Sequence, residues 1–101
     1  MKIRNRKTIK AGLVLIEKKW TSLIIIELME GPIRFKALAK RIPEMSEKML
    51  AQRLRELNSL SIIERHVSKY RPLKVEYKLT QKGLELAVSL NSFSQWTDKW
   101  M

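Results

Sequence analysis

Ser46-Glu47-Lys48-Met49-Leu50-Ala51-Gln52-Arg53-Leu54-Arg55-Glu56-Leu57 is the stretch that decides the fold. Ser46 is a favoured N-cap, because a serine hydroxyl satisfies an otherwise unpaired backbone N–H, and Glu47 complements the positive end of the helix it opens. Leu50, Leu54 and Leu57 follow at spacings of four and three. At about 100° per residue they gather into one narrow apolar stripe. Lys48, Gln52 and Arg55 fall on the opposite side, with Ala51 beside them. The segment reads as a helix anchored on one side and presenting long hydrogen-bonding side chains on the other.

Outward toward the N-terminus, Pro43-Glu44-Met45 is a tight turn, and Arg34 to Ile42 reads as a third helix with Phe35, Leu38, Ala39 and Ile42 on one face. Ile33 is a candidate very short strand. Gly31-Pro32 stops the element before it, since a residue preceding proline leaves the helical region and glycine is preferred just past a helix end. That element is a helix over Trp20 to Glu30 with a stripe of Trp20, Leu23, Ile24 and Leu28 and a start near Thr21 or Ser22. Ile24, Ile25 and Ile26 make it apolar nearly all round, so it is expected to be central and buried. The β-branched run also permits a strand; the spacing and the flanking Glu27 and Glu30 favour the helix. Ala11 to Ile16 accounts for one or two further turns. Residues 1–10 carry Lys2, Arg4, Arg6, Lys7 and Lys10 without an acid. They read as a basic N-terminal segment, either an arm reaching for phosphates or a frayed, solvated terminus, with the second favoured.

Toward the C-terminus, Ile62 to Ser68 and Lys74 to Leu79 are strand-like. In the second, Val75, Tyr77 and Leu79 alternate with Lys74, Glu76 and Lys78. Lys69-Tyr70-Arg71-Pro72-Leu73 joins them as a basic hairpin tip. Thr80 caps a last helix running to Trp100, with Leu86, Leu90, Phe93, Trp96 and Trp100 in a stripe close to a heptad seam. The whole is one mainly α domain with a small β-hairpin (α+β): a helix-turn-helix over residues 34–57, a wing over 62–79 and a terminal helix over 80–101.

A helix, a short turn and a capped helix form the helix-turn-helix pattern, whose second helix enters the major groove of DNA. Arg and Lys bond guanine O6 and N7 there, and Gln bonds adenine N6 and N7. Residues near the helix start enter deepest, which places Ser46, Lys48, Met49 and Gln52 near base edges and Arg53 and Arg55 at phosphates. Arg34, Lys36 and Glu47 complete the candidate contacts around the turn, and Lys69, Arg71 and Lys74 are the wing's. Each cation could neutralise one phosphate and release counterions. An exposed helix face of Lys, Gln and Arg is common on its own; the basic hairpin directly after it turns the balance.

Charge agrees. The chain has 21 Lys and Arg against 10 Asp and Glu, a formal net charge of +11, and a pI near 10.3, the footprint of a polyanion binder. The apolar share of 45% is too high for a disordered chain. No cysteine is present, which excludes disulfides, thiolate metal sites and a cysteine redox switch within it. The longest apolar run, Leu23 to Met29, is interrupted by Glu27 and falls short of the roughly 20 residues of a membrane span. No signal-peptide pattern is seen, so the cytoplasm is the expected compartment and a membrane is not an expected partner.

The blocks Trp20-Thr21-Ser22-Leu23-Ile24-Ile25, Gly31-Pro32-Ile33-Arg34-Phe35, Ser46 through Leu57 and Val75-Glu76-Tyr77-Lys78-Leu79-Thr80 resemble, in matching order, the signature blocks of the HxlR-type regulators, from about Leu13 to Trp100. The resemblance implies a winged-helix transcription regulator distantly related to the MarR type. It also implies a homodimer on double-stranded DNA, joined through the N- and C-terminal helices. Leu13, Ile16, Trp20, Leu86, Leu90, Phe93, Trp96 and Trp100 are then the dimerisation residues. The aromatic stripe supports this separately, since Trp is favoured at interfaces, although such a stripe can also fold onto its own core. Two departures stand out. Many members sense electrophiles through a cysteine just before the first helix, and the aligned position is near Lys7. The family's Gly-Lys-Trp is Lys18-Lys19-Trp20, a turn without its glycine.

Nothing in the chain assembles a catalytic site. His66 is the only histidine, and no metal-ligand spacing, Gly-rich loop or Ser–His–Asp set surrounds it. A non-enzyme without cofactor or metal is expected. The leading function is a regulator on a pseudo-palindromic operator. The alternatives are a sequence-tolerant architectural DNA binder, motivated by the net charge, and a protein-interaction winged helix, motivated by the apolar last helix. A small-molecule effector has one candidate place, the space near Trp20 and Trp96, which a filled core would equally explain.

Overall fold

The computed structural model describes residues 5–101; Lys2 and Arg4 of the basic N-terminal segment lie outside the described residues. The remainder of that segment is helical rather than frayed. Helix α1 spans Arg6–Glu17, and the Asn5 side chain accepts from the backbone N–H groups of Lys7 and Thr8 at 3.0 and 3.2 Å. An Asn N-cap is as effective as the Ser read at position 46, so the cue was present at Asn5.

α2 covers Thr21–Glu27 and tightens into a 3₁₀ turn over Leu28–Glu30, where one continuous helix from Trp20 was expected. Trp20 sits before the helix in the left-handed region, at φ 76°. Lys18, at the position of the missing glycine, has φ −62° and ψ 126°, which any residue adopts, so the turn closes without glycine there. Ile24, Ile25 and Leu28 are buried, whereas Leu23 is exposed. A helix apolar on all sides carries no periodic cue to its inner face; packing against α5 selects it. Gly31, at φ 123°, ends the turn in a conformation that disfavours any side chain.

β1 is the two-residue strand Ile33–Arg34, and α3 spans Phe35–Arg41, with Arg34 at its cap position rather than within it. α4 spans Glu47–Ser59, and the Ser46 hydroxyl accepts from Met49 N–H at 3.1 Å, as its sequence predicts. Leu50, Leu54 and Leu57 are all buried. α4 ends with Ser61 in the left-handed region at φ 59°. Ser61 N–H donates to Asn58 O and Ile62 N–H to Leu57 O, both at 3.0 Å, a closure in which glycine is the usual residue.

β2 (Ile63–Val67) and β3 (Val75–Leu79) form the hairpin, in the register Arg65 opposite Tyr77 and His66 opposite Glu76. β1 adds antiparallel to β3, giving the order β1-β3-β2. The helices α2, α3 and α4 pack with this sheet around one core that includes Ile25, Leu38, Leu54 and Ile63. α5 spans Gln81–Trp100, about 30 Å at 1.5 Å per residue. The Thr80 side chain caps it, accepting from Gly83 N–H while donating toward the Ser61 carbonyl at 2.6 Å. Gly83 is required by approach: a Cβ there would meet the Ile62 carbonyl. No helix of the described residues is long and apolar enough to cross a membrane.

Candidate nucleic-acid interface

α4 is held at both ends and along one side. Its first turn is capped by Ser46, and Lys36 Nζ reaches Glu47 Oε1 at 2.7 Å, linking the starts of α3 and α4. The buried leucine stripe fixes the rotation of the rod, so Lys48, Gln52 and Arg55 are exposed on its outer side. Met49 departs from its expected place near base edges. It is half-buried and packs against the core.

Arg53 departs further. Its side chain is only 12% exposed. Nε donates to Lys19 O at 2.9 Å, and Nη1 pairs with Glu56 Oε1 at 3.0 Å. Position 53 follows Gln52 by about 100°, enough to turn it from the open face toward the α1–α2 turn. Sequence reading missed Glu56, which also takes Lys18 Nζ at 2.7 Å and Gln52 Nε2 at 3.3 Å. Hydrogen bonding from Lys18 is the largest reason its carboxyl titrates below the ordinary value, against a smaller opposing effect of burial, with Gln52 and Arg53 helping. An i,i+4 match to Gln52 was readable; Lys18, 38 residues away, was not.

The wing extends beyond the sheet. Ser68 N–H donates to Lys74 O at 2.8 Å and closes a loop in which Lys69, Tyr70, Arg71, Leu73 and Lys74 are exposed. No acid lies between Glu64 and Glu76 in sequence. Arg65, which sequence reading also passed over, is exposed on β2. It lines a crevice of about 100 Å³ with Arg55 and Asn58 of α4 and with Tyr77, so the helix and the hairpin share a cationic border. Lys48, Arg55, Arg65, Lys69, Arg71 and Lys74 make no ion pair with any described residue. Among the described residues no cluster suited to a metal ion occurs, and His66 is exposed.

The opposite side of the molecule differs. An apolar groove of about 680 Å³ runs between α1, α2 and α5, its walls including Leu13, Ile16, Leu23, Ile26, Leu86 and Phe93. Trp20 and Trp96 do not line it, so the open space is displaced from the place expected for an effector. Ser22, Ser89 and Thr97 reach the groove, but their hydroxyls bond the carbonyls of Ile16, Glu85 and Ser94. Phe93 (62% exposed) of the groove wall, and Trp96 (52%) and Trp100 (66%) beyond it, stand open, with the Phe93 and Trp96 rings stacked at 6.1 Å. Leu90, read as a seam residue, is buried in the core, because α5 turns Gly83, Ala87 and Leu90 inward together. Ile9, Val14 and Leu23 are exposed apolar residues that the seam reading left out.

The HxlR-like helix-turn-helix family model matches residues 15–101. The HTH-type transcriptional regulator YodB of Bacillus subtilis is 45% identical over 86 residues, covering 85% of this chain and 77% of that protein. Its reduced form superposes with a TM-score of 0.83 at 40% identity, over 99% of this chain and 95% of that one; diamide-treated and quinone-bound forms have also been solved. A MarR-family regulator from Porphyromonas gingivalis superposes with a TM-score of 0.86 at 27% identity, over the whole of both chains.

Proposed function

The chain belongs to the HxlR-like helix-turn-helix family, a family of DNA-binding transcriptional regulators and not of enzymes, and from that premise we propose that it acts as a homodimer on a pseudo-palindromic operator. α4 enters the major groove with Lys48 and Gln52 toward the bases and Arg55 toward the phosphates. Ser46, Lys36 and Arg34 sit at its edge, and Lys69, Arg71 and Lys74 follow the adjacent backbone or minor groove. The carrying observation is the exposed face of α4 bordered by a cationic hairpin whose tip, between Glu64 and Glu76, carries no acid: a groove-sized rod beside a phosphate-binding tip.

A dimer is supported by the α1–α2–α5 groove. Three of its four hydroxyls, on Ser22, Ser89 and Thr97, already donate to backbone carbonyls, and its walls are mainly aliphatic and aromatic, so an apolar surface of matching shape suits it best. A second copy offers one, the exposed Phe93, Trp96 and Trp100 stripe. Dimer symmetry then sets two recognition helices roughly 34–36 Å apart. The diamide and quinone chemistry of the YodB structures does not transfer through a thiol, since this chain has no cysteine.

The test is a competition gel shift at physiological salt between a duplex selected from a random-sequence pool and random duplex. The expected preference is at least about 10³-fold. Equal binding to both points instead to the sequence-tolerant architectural binder that a net charge of +11 would also serve.

A further inference from the structure

Gln52 stands between two partners of opposite kind. Arg55 Nη2 donates to Gln52 Oε1 at 2.8 Å, and Gln52 Nε2 donates to Glu56 Oε2 at 3.3 Å. A guanidinium can only donate and a carboxylate can only accept. The reversed amide would set N–H against N–H at Arg55 and oxygen against oxygen at Glu56. The polarity of the amide is therefore fixed by its neighbours. Glu56 is itself braced from the far side by Lys18 and by Arg53, whose own Nε is tied to the Lys19 carbonyl. The orienting acceptor thus has its own supports on the α1–α2 turn.

We propose that Glu56 and Arg55 are positioning residues that lock the Gln52 amide in one orientation, so that the recognition helix selects adenine over guanine at the base facing Gln52. The proposal rests on the reading of α4 as the groove-entering helix. An amide has two N–H donors and an oxygen with two lone pairs. With one of each occupied, one donor and one acceptor remain. Adenine shows the complementary pair in the major groove, the N7 acceptor and the N6 amino donor, whereas guanine shows two acceptors, N7 and O6. A locked amide meets the first and leaves its oxygen opposed to guanine O6. Side chains held before binding also lose less entropy on contact.

The experiment is a double-mutant cycle on the full chain. Gln52→Ala first identifies, from duplexes selected by the wild type, the position whose adenine-over-guanine preference depends on Gln52. Glu56→Ala and Arg55→Ala are then measured on the duplex pair differing only there, alone and combined with Gln52→Ala. Each is expected to lower the adenine preference by about tenfold and to have no further effect on that ratio once Gln52 is gone. Arg55→Ala leaves the Lys18–Glu56–Arg53 brace intact, so it carries the test if Glu56→Ala fails to fold. Single variants that keep the wild-type preference overturn the proposal. So does a fall in the adenine preference that persists in the Gln52→Ala background, because it then does not act through Gln52. If Gln52→Ala alters no base preference at all, the reading of α4 fails first and the proposal with it.

Discussion

The α4–wing side and the α1–α5 side are both open to solvent, and they are open for different reasons. On the first, Lys48, Arg55, Arg65, Lys69 and Arg71 are solvated cations without an ion-pair partner among the described residues. Water stabilises such groups well, and the cost of their crowding is screened by salt. On the second, Leu13, Leu23, Phe93, Trp96 and Trp100 leave apolar area in water that the monomer's own core does not reach. Burying such area gains roughly 25 cal/mol per Å². The cationic side is complete as it stands and waits for a polyanion, while the apolar side is incomplete until covered. One partner should therefore be salt-sensitive and the other not.

The largest effect is expected from Phe93→Asp. Phe93 is exposed, so the fold survives, while a charge enters the proposed seam. Sedimentation should show a monomer, and affinity for the selected duplex should fall by about 10²–10⁴-fold, because the second half-site is no longer held at high effective concentration. A variant that stays dimeric and binds normally would break the contrast between the two sides.

A smaller effect is expected at the wing. Lys69→Ala and Arg71→Ala should weaken binding to selected and random duplexes alike, and each should reduce the slope of log affinity against log salt by about 1. The dimerisation constant should not move with salt. A wing variant that changes sequence preference while leaving the salt slope intact would assign the hairpin to base reading instead.

The smallest concerns the acid that joins the two sides. Glu56 titrates below the ordinary carboxylate value of 4.5 when folded, so the unfolded chain binds its proton more readily. Its contribution to stability is fully present above that ordinary value and is lost as pH falls through the lower folded value. Glu56→Gln should flatten the acid limb of urea midpoint against pH and leave the neutral limb parallel to wild type. An unchanged acid limb would detach Lys18 and Arg53 from any role in holding α4.

Local signals were legible and long-range ones were not. The Ser46 cap, the Leu50–Leu54–Leu57 stripe and the strand bounds from Val75 to Leu79 depend on neighbours within one or two turns or strands, and each appears where its pattern puts it, although the five residues of β3 are evenly half-buried rather than alternately so. Asn5 carried an equally local cue that the run of basic residues around it obscured. Arg53 looked outward because only its own helix was considered; the Lys19 carbonyl that holds it is 34 residues away. Leu90 shares a stripe with Phe93 and Trp96, and no spacing rule says where along α5 the core ends and the open face begins. Leu23 in α2 has the same ambiguity in reverse.

The central claim is that α4 lies in the major groove twice per operator. Dimethyl sulfate protection reads guanine N7, a major-groove atom, directly. On the selected duplex, two dyad-related clusters of protected N7 positions about 10–10.5 base pairs apart are expected, with one position in each lost in Lys48→Ala. A single cluster, or protection confined to adenine N3 in the minor groove, would contradict it.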